Sequence, residues 1–170
     1  MSLSRISNHL LTTHWGVNRA FPRSTLDAIE RTLKESNAAH VGEIRFAVEG
    51  ALHSTPLLKG QTARERAVDV FAQLRLWDTE HNNGVLIYLL LADSAVEILA
   101  DRGIASKVPS AEWQEICRAM ESAFKQRQFE AGVIAGIHAV TQRLIAHFSC
   151  HGKARQELFD VSAGRTKAKV

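Results

Sequence analysis

The sequence has few of the features typical of secreted proteins, of small domains stabilised by a bound metal, or of membrane-spanning proteins. Its 170 residues include two cysteines, with no Cys-x-x-Cys spacing and no Cys/His pair at zinc spacing. We therefore expect reduced thiols in a reducing compartment, with Cys117 packed in the core. The longest apolar run, Val85–Ala92, has eight residues, whereas a transmembrane helix needs about 20. Because the N-terminus also lacks the apolar stretch of a secretory signal, a cytoplasmic domain without direct membrane insertion is predicted.

The chain has no net positive charge outside its C-terminal part. The formal charge of the chain is +3, and Ser149–Val170 holds five basic and two acidic residues, so the preceding part is neutral overall. No basic face for nucleic acid is therefore expected. This charge pattern and the periodicity described next predict three regions. They are an N-terminal helix and loop over 1–23, an α/β domain over 24–148, and a basic, flexible tail over 149–170.

The familiar catalytic and nucleotide-binding motifs are absent. The chain contains no G-x-S-x-G, P-loop, G-x-G-x-x-G or H-E-x-x-H sequence. No nucleotide or organic cofactor is therefore expected, and the hydrolase and zinc-protease sites that these motifs form have no support.

Apolar periodicity predicts alternating helices and strands. The predicted strands are Val41–Val48, Val85–Leu91 and Val96–Ala100. The predicted helices are Ser4–Thr12, Ser24–Asn37, one that opens on the Thr62/Glu65 capping box, one from Ser110 to Phe124, and Glu130–His147. A long helical crossover makes the first two strands parallel, and the two-residue turn at Asp93-Ser94 makes the third antiparallel. The predicted fold is a three-layer α/β/α sandwich with a small mixed sheet of three to four strands.

This topology brings polar residues to one edge of the sheet. The starts of the first two strands and the end of the third should meet there, together with His40 and Arg102. Carboxylate and amide oxygens suit hard cations such as Ca²⁺ or Mg²⁺. The candidate metal ligands are Glu43, Asp78, Glu80, Asn82, Asn83 and Asp101. The alternative is that the Asn-Asn-Gly sequence supplies turn chemistry and the acids are solvated loop residues.

Two further interpretations stay open at this stage. Glu43 and Arg45 lie on the same face of the first strand, where they form either a structural or a functional ion pair. Trp77 and Trp113 are expected to pack at the rim of the core, with an exposed partner-binding role as the alternative.

Four segments, in this order and spacing, resemble the TPM domain family of plant thylakoid-lumen photosystem repair proteins and many bacterial proteins. The segments are GEIRFAVE (Gly42–Glu49), HNNGVLIYLL (His81–Leu90), VEILADRGI (Val96–Ile104) and FEAGVIAGIHAV (Phe129–Val140). The resemblance covers Ser24 to Phe148. The family's motifs correspond here to Gly42-Glu43-Ile44, Asn82-Asn83-Gly84 and Asp101-Arg102-Gly103, and all three fall on the polar edge.

The resemblance implies an α/β/α sandwich and divalent-cation binding, and a plant member is described as an acid phosphatase. Better-known members carry an export signal and often a C-terminal membrane anchor, whereas this chain resembles a short, stand-alone bacterial subgroup. Two functions follow as expectations. The first is a divalent-cation-binding module that acts through a protein partner, with a membrane protein as one candidate. The second is a metal-assisted phosphomonoesterase in which Arg102 or Arg45 holds the phosphate.

Overall fold

The computed structural model describes Arg5, His9 and residues 14–149. Within the continuous segment 14–149, side chains are described from residue 16 onward. Within the expected helix Ser4–Thr12, Arg5 and His9 have helical backbone, and the rest of that helix lies outside the described residues. The expected tail, apart from Ser149, also lies outside them.

The described chain alternates helices and strands in the predicted order. The strands are β1 (Glu43–Glu49), β2 (Gly84–Leu90) and β3 (Ala95–Ala100). The helices are α1 (His14–Ala20), α2 (Arg23–Ala39), α3 (Ser54–Leu58), α4 (Ala63–Gln73), α5 (Arg102–Ala105), α6 (Ser110–Lys125) and α7 (Phe129–Phe148). A 3₁₀ turn over Leu91–Asp93 joins β2 to β3. None of the described helices is long and apolar enough to cross a membrane.

The sheet is mixed and has the order β1-β2-β3. β1 runs parallel to β2 and β3 runs antiparallel to it, as the crossover and the tight turn predict. The middle strand is buried along its whole length, which explains why Val85–Leu90 is apolar at every position rather than alternating.

Helices cover both faces of the sheet and divide the core in two. One face, with Ile44, Ile87 and Ile98, packs against α2, α6 and α7. The other, with Leu86, Tyr88 and Leu99, packs against α4, α3 and Leu52. The predicted three-layer α/β fold is therefore confirmed.

Gly132 and Gly136 on α7 lie against side chains of α6. The four-residue spacing of these glycines favours close approach to a neighbouring backbone, and the structure places side chains there instead. A Cβ on Gly136 would meet the thioether of Met120, and one on Gly132 would lie 2.8 Å from the Phe124 ring. This close approach offsets the low helix propensity of glycine.

Several local predictions differ from the structure. The N-cap of α2 is Pro22 rather than Ser24, and the buried stripe of α2 runs through Thr25 and Ile29, leaving Leu26 exposed. The loop predicted within 1–23 contains α1, and the segment between β1 and Thr62, for which no helix is predicted, contains α3. Such short helices carry too few residues for a detectable apolar period.

The two tryptophans have different environments. Trp113 is buried at the core rim, as expected, whereas Trp77 is 55% exposed. The prediction that Trp77 packs at the rim of the core is therefore wrong. The chain turns at Arg75 (φ 54°), and Leu76 lies in the core instead of Trp77.

Candidate functional site

The starts of β1 and β2 and the end of β3 carry the three motifs at one end of the sheet, and we call this region the polar strand edge. Gly84 lies at its centre. Glu43 pairs with Gly84 across β1 and β2, and the Asp101 N–H donates to the Gly84 carbonyl across 2.8 Å. The three motifs therefore meet on one edge of the sheet, as the topology predicts. Asn37 fixes the start of β1, because its side-chain amide both donates to and accepts from the backbone of Ile44.

Gly84 also keeps Glu43 and Asp101 apart. A Cβ on Gly84 would overlap the carbonyl oxygen of Leu76, so the backbone that follows α4 packs against the middle strand at this point. Neighbouring strands lie about 4.8 Å apart, which separates the two outer backbones by roughly 10 Å. Glu43 and Asp101 thus lie on opposite sides of the Leu76 backbone.

Asn82 joins the loop before β2 to the start of α5. Its backbone has φ 51°, and its carbonyl accepts from the Gly103 N–H at 2.8 Å and from the Ile104 N–H at 3.3 Å. Its side-chain oxygen accepts from Nε of Arg102 at 2.9 Å. A Cβ on Gly103 would overlap the carbonyls of His81 and Asn82, so only glycine permits this close contact.

Asp101 and Asn83 each contain a buried polar atom with no partner among the described residues. Oδ1 of Asp101 caps α5 by accepting from the Arg102 N–H at 2.7 Å, whereas Oδ2 is buried and unpartnered. Asn83 is 1% exposed, and its Nδ2 has no partner. Such atoms are expensive to leave unsatisfied, and the described residues contain two others, Oε1 of Gln61 and Nε1 of Trp113, away from this edge.

The other predicted ligands are more exposed. Glu43 forms an ion pair with Arg45 at 2.7 Å. The Glu80 carboxylate is 75% exposed and lies 3.9 Å from the His81 ring, and Asp78 is exposed on the same loop. The described residues contain no group of three or more His, Cys, Asp or Glu side chains placed to hold a metal ion. The structure thus brings the backbone of the Asn82-Asn83-Gly84 segment next to Asp101, whereas Asp78 and Glu80 are exposed and Glu43 is held by Arg45.

His40 is buried beside this edge with both ring nitrogens engaged. Nδ1 lies 3.1 Å from the Gly42 carbonyl and Nε2 lies 3.3 Å from Oγ of Ser36. The Ser36 hydroxyl in turn contacts Thr141 at 2.5 Å, and the Thr141 hydroxyl donates to the Ile137 carbonyl. His40 therefore links α2, β1 and α7. With both nitrogens occupied, it has no free position for a ligand.

Burial lowers the pKa of His40, and the hydrogen bond to the Gly42 carbonyl opposes this shift only in part. The folded state then binds fewer protons than the unfolded state just below pH 6.5. We expect the free energy of unfolding to be highest above this pH and to fall as the solution is acidified. In His40→Gln the fall between pH 7.5 and pH 5 should be shallower in urea titrations. His138→Gln, a change at an exposed histidine of α7, should keep the wild-type slope, and equal slopes in all three proteins would contradict the prediction.

Sequence reasoning missed two features of this edge. His81 stacks on Phe148 with ring centroids 6.5 Å apart, and the ammonium of Lys107 lies 5.9 Å from the same ring. Thr79 accepts from the Asn83 N–H at 3.0 Å and so holds the loop before β2. The His81–Phe148 contact joins residues that are far apart in the sequence, and no local sequence pattern predicts it.

Comparison with known proteins gives a family and a fold. The family model of the TPM domain matches residues 18–143. The NMR structure of the BA42 protein from the psychrophilic bacterium Bizionia argentinensis is 29% identical, with a TM-score of 0.65 over 74% of this chain and 82% of that one. The N-terminal domain of a P. gingivalis protein, also solved by NMR, is 17% identical, with a TM-score of 0.60 over 73% of this chain and 76% of that one. The second likeness bears on the fold alone.

No curated protein matches the sequence. The family model nevertheless spans most of the chain and includes all three motifs of the polar strand edge. In the described structure these motifs lie at the start of β1, at the start of β2 and directly after β3. The chain belongs to the TPM domain family.

Proposed function

We propose that this TPM domain binds a divalent cation at the polar strand edge and acts through a protein partner. The observation that carries the proposal is the buried, unpartnered Oδ2 of Asp101. A buried carboxylate oxygen without a partner costs free energy, and a bound cation would offset that cost. The donor set fits a hard cation, because oxygen atoms of carboxylates and amides are what Ca²⁺ and Mg²⁺ prefer.

Asn83 supports the same position. It directly precedes Gly84, whose carbonyl accepts from the Asp101 N–H, and the terminal nitrogen of its buried amide is unpartnered. A half-turn of this amide would place an oxygen where the nitrogen stands, which is the arrangement that a cation would select. With one buried carboxylate in the set, we expect weak binding, with a dissociation constant of about 10⁻⁴ to 10⁻³ M.

An exposed apolar surface beside the site supports a protein partner. Leu74 is 44% exposed and Trp77 is 55% exposed, and both lie in the connection between α4 and β2 that also carries Asn82 and Asn83. Tryptophan is among the residues that most often dominate protein interfaces. A partner that covers Trp77 would therefore lie next to the proposed cation.

The phosphomonoesterase alternative requires a free arginine to hold the phosphate. Arg45 is ion-paired with Glu43, and Nε of Arg102 donates to Asn82. A phosphate held by Arg45 would therefore lie beside the Glu43 carboxylate, which repels it, and one held by Arg102 would share the guanidinium with the Asn82 oxygen. The binding module is for this reason the function that we propose.

The test is the effect of cations on the melting temperature. Calcium or magnesium at about 10 times its dissociation constant should stabilise the wild type by roughly 1.4 kcal/mol, or about 3 to 6 °C. Sodium chloride at matched ionic strength should not reproduce the shift, because a coordinated ion acts through geometry rather than screening.

Matched variants identify the ligands. Asp101→Asn removes the charge of the proposed ligand, and Glu80→Gln removes the charge of the exposed carboxylate on the neighbouring loop, while the new asparagine side chain keeps the ability to cap α5. This pair should abolish the shift, whereas the exposed pair Asp27→Asn with Glu115→Gln, on α2 and α6, should retain it. A wild type that does not respond to either cation would refute the site, and equal shifts in both variants would place the ion elsewhere. Cation-dependent hydrolysis of p-nitrophenyl phosphate that is lost in Asp101→Asn would instead favour the phosphatase.

A further inference from the structure

A cavity lies at the end of α7 remote from the polar strand edge. This cavity of about 1370 Å³ is bounded by α1, the start of α2, the α6–α7 turn and the first half of α7. His138 on its wall precedes Phe148, at the polar strand edge, by ten residues of one helix, which corresponds to roughly 15 Å along the helix axis. The cavity is therefore separate from the proposed cation site.

Much of the cavity wall is apolar. Phe129 stacks on Phe124 with ring centroids 5.5 Å apart and lies 5.6 Å from the buried ring of Phe21, so the core fixes its position. The apolar side chains of the wall include Ala20, Pro22, Phe124, Phe129, Ile134 and Ala135. A wall of this kind gains free energy when an apolar group displaces water from it.

The polar part of the wall is cationic. Arg19, Lys125 and Arg127 line it, and none of the three forms an ion pair with a described residue. The wall contains one acid, Glu130, whose Oε2 accepts from the buried hydroxyl of Thr25 at 2.6 Å. Three permanent cations thus face one carboxylate.

We propose that this cavity binds an anionic amphiphile, a carboxylate carried on an acyl chain. The cations attract the head group, and the aromatic and aliphatic wall removes the chain from water. A small anion without a chain leaves the wall hydrated, and a cationic amphiphile is repelled by the same three residues. The cavity exceeds the roughly 300 to 1,000 Å³ of most small-molecule pockets, which leaves room for a flexible chain.

The secondary structure around the cavity favours an amphiphile over a protein segment. Among the described residues its walls are helices and one turn. No strand edge borders it to pair with the backbone of an extended peptide. An acyl chain has no backbone polar groups that need such partners.

Dodecanoate, kept below its micelle concentration, is the probe. Amide chemical shifts in NMR titrations should change in α1, in the α6–α7 turn and near Ile134, and calorimetry should give the affinity. Acetate and dodecyltrimethylammonium should leave these shifts unchanged. Added salt should weaken the binding of dodecanoate, since the attracting charges are exposed.

Two double variants at exposed arginines distinguish binding in the cavity from a general effect of surface charge. Arg19→Gln with Arg127→Gln should weaken binding at least tenfold, whereas Arg31→Gln with Arg118→Gln, which lie outside the cavity, should leave it unchanged. Melting curves of both variants check that the fold is intact.

Four results would overturn the proposal. They are undetectable binding of dodecanoate, equal loss in both variants, equal binding of dodecyltrimethylammonium, and shifts confined to other surfaces. Binding of an acidic peptide in place of dodecanoate would identify the occupant as a protein segment instead.

Discussion

Tyr88→Asp should abolish the folded state. Tyr88 is 0% exposed at the centre of β2, and its hydroxyl donates to the Glu49 carboxylate at 2.7 Å. Aspartate would leave a cavity in place of the ring and add a second carboxylate next to Glu49. Each of the two changes costs about 3 to 5 kcal/mol, and their sum is comparable with the whole stability of a domain. Circular dichroism should show no cooperative thermal transition.

Tyr88→Phe is the matched control, because it keeps the ring and removes the hydroxyl. Arg66 pairs with the same carboxylate at 2.6 Å, and burial, which alone would raise the pKa of Glu49, is outweighed by hydrogen bonds from Arg66 and Tyr88, so this pKa is lowered. Losing one hydrogen bond to a charged group costs about 1.5 to 3 kcal/mol, so the phenylalanine variant should stay folded with a lower melting temperature. A Tyr88→Asp protein that melts like the wild type would show that this strand is not the buried centre of the sheet.

The sheet could be predicted because its rules are local or topological. The unbroken apolar run of β2 identifies a strand buried on both faces, and the lengths of the two connections fix the direction of its neighbours. The Thr62/Glu65 capping box is present as predicted, with both reciprocal hydrogen bonds formed. By contrast, α1 leads directly into Phe21, which packs on Phe46 of β1, and α3 is held by the buried Leu57. No periodic pattern within so short a segment predicts contacts of this kind.

The candidate site could be placed on the fold but not resolved into ligands. Motif positions and strand directions predict that the Asn82-Asn83-Gly84 and Asp101-Arg102-Gly103 segments meet, and they do. They cannot predict that Leu76 lies between Glu43 and Asp101, because that position depends on the left-handed backbone at Arg75. The sequence also does not show which carboxylate oxygen of Asp101 caps α5. Because Oδ1 forms the cap, Oδ2 is the unpartnered atom.

Gly84→Ala tests how Leu76 and the middle strand pack. The Leu76 carbonyl oxygen that the new methyl would overlap belongs to the backbone, and no rotamer change can relieve the overlap. Overpacking of a well-filled core costs about 1 to 3 kcal/mol and sometimes more. A loss of about 3 kcal/mol would lower the melting temperature by roughly 6 to 12 °C, and because β1 and β3 both pair with β2, the transition should remain cooperative.

Gly136→Ala is the control for adding a methyl group at a buried glycine. Its Cβ would overlap the thioether of Met120, but methionine is flexible and can change rotamer, and alanine raises helix propensity by up to about 1 kcal/mol. We therefore expect Gly136→Ala to melt within a few degrees of the wild type while Gly84→Ala falls well below it. The reverse order would mean that the limiting contact lies between α6 and α7. The Leu76 backbone would then be free to move away from β2.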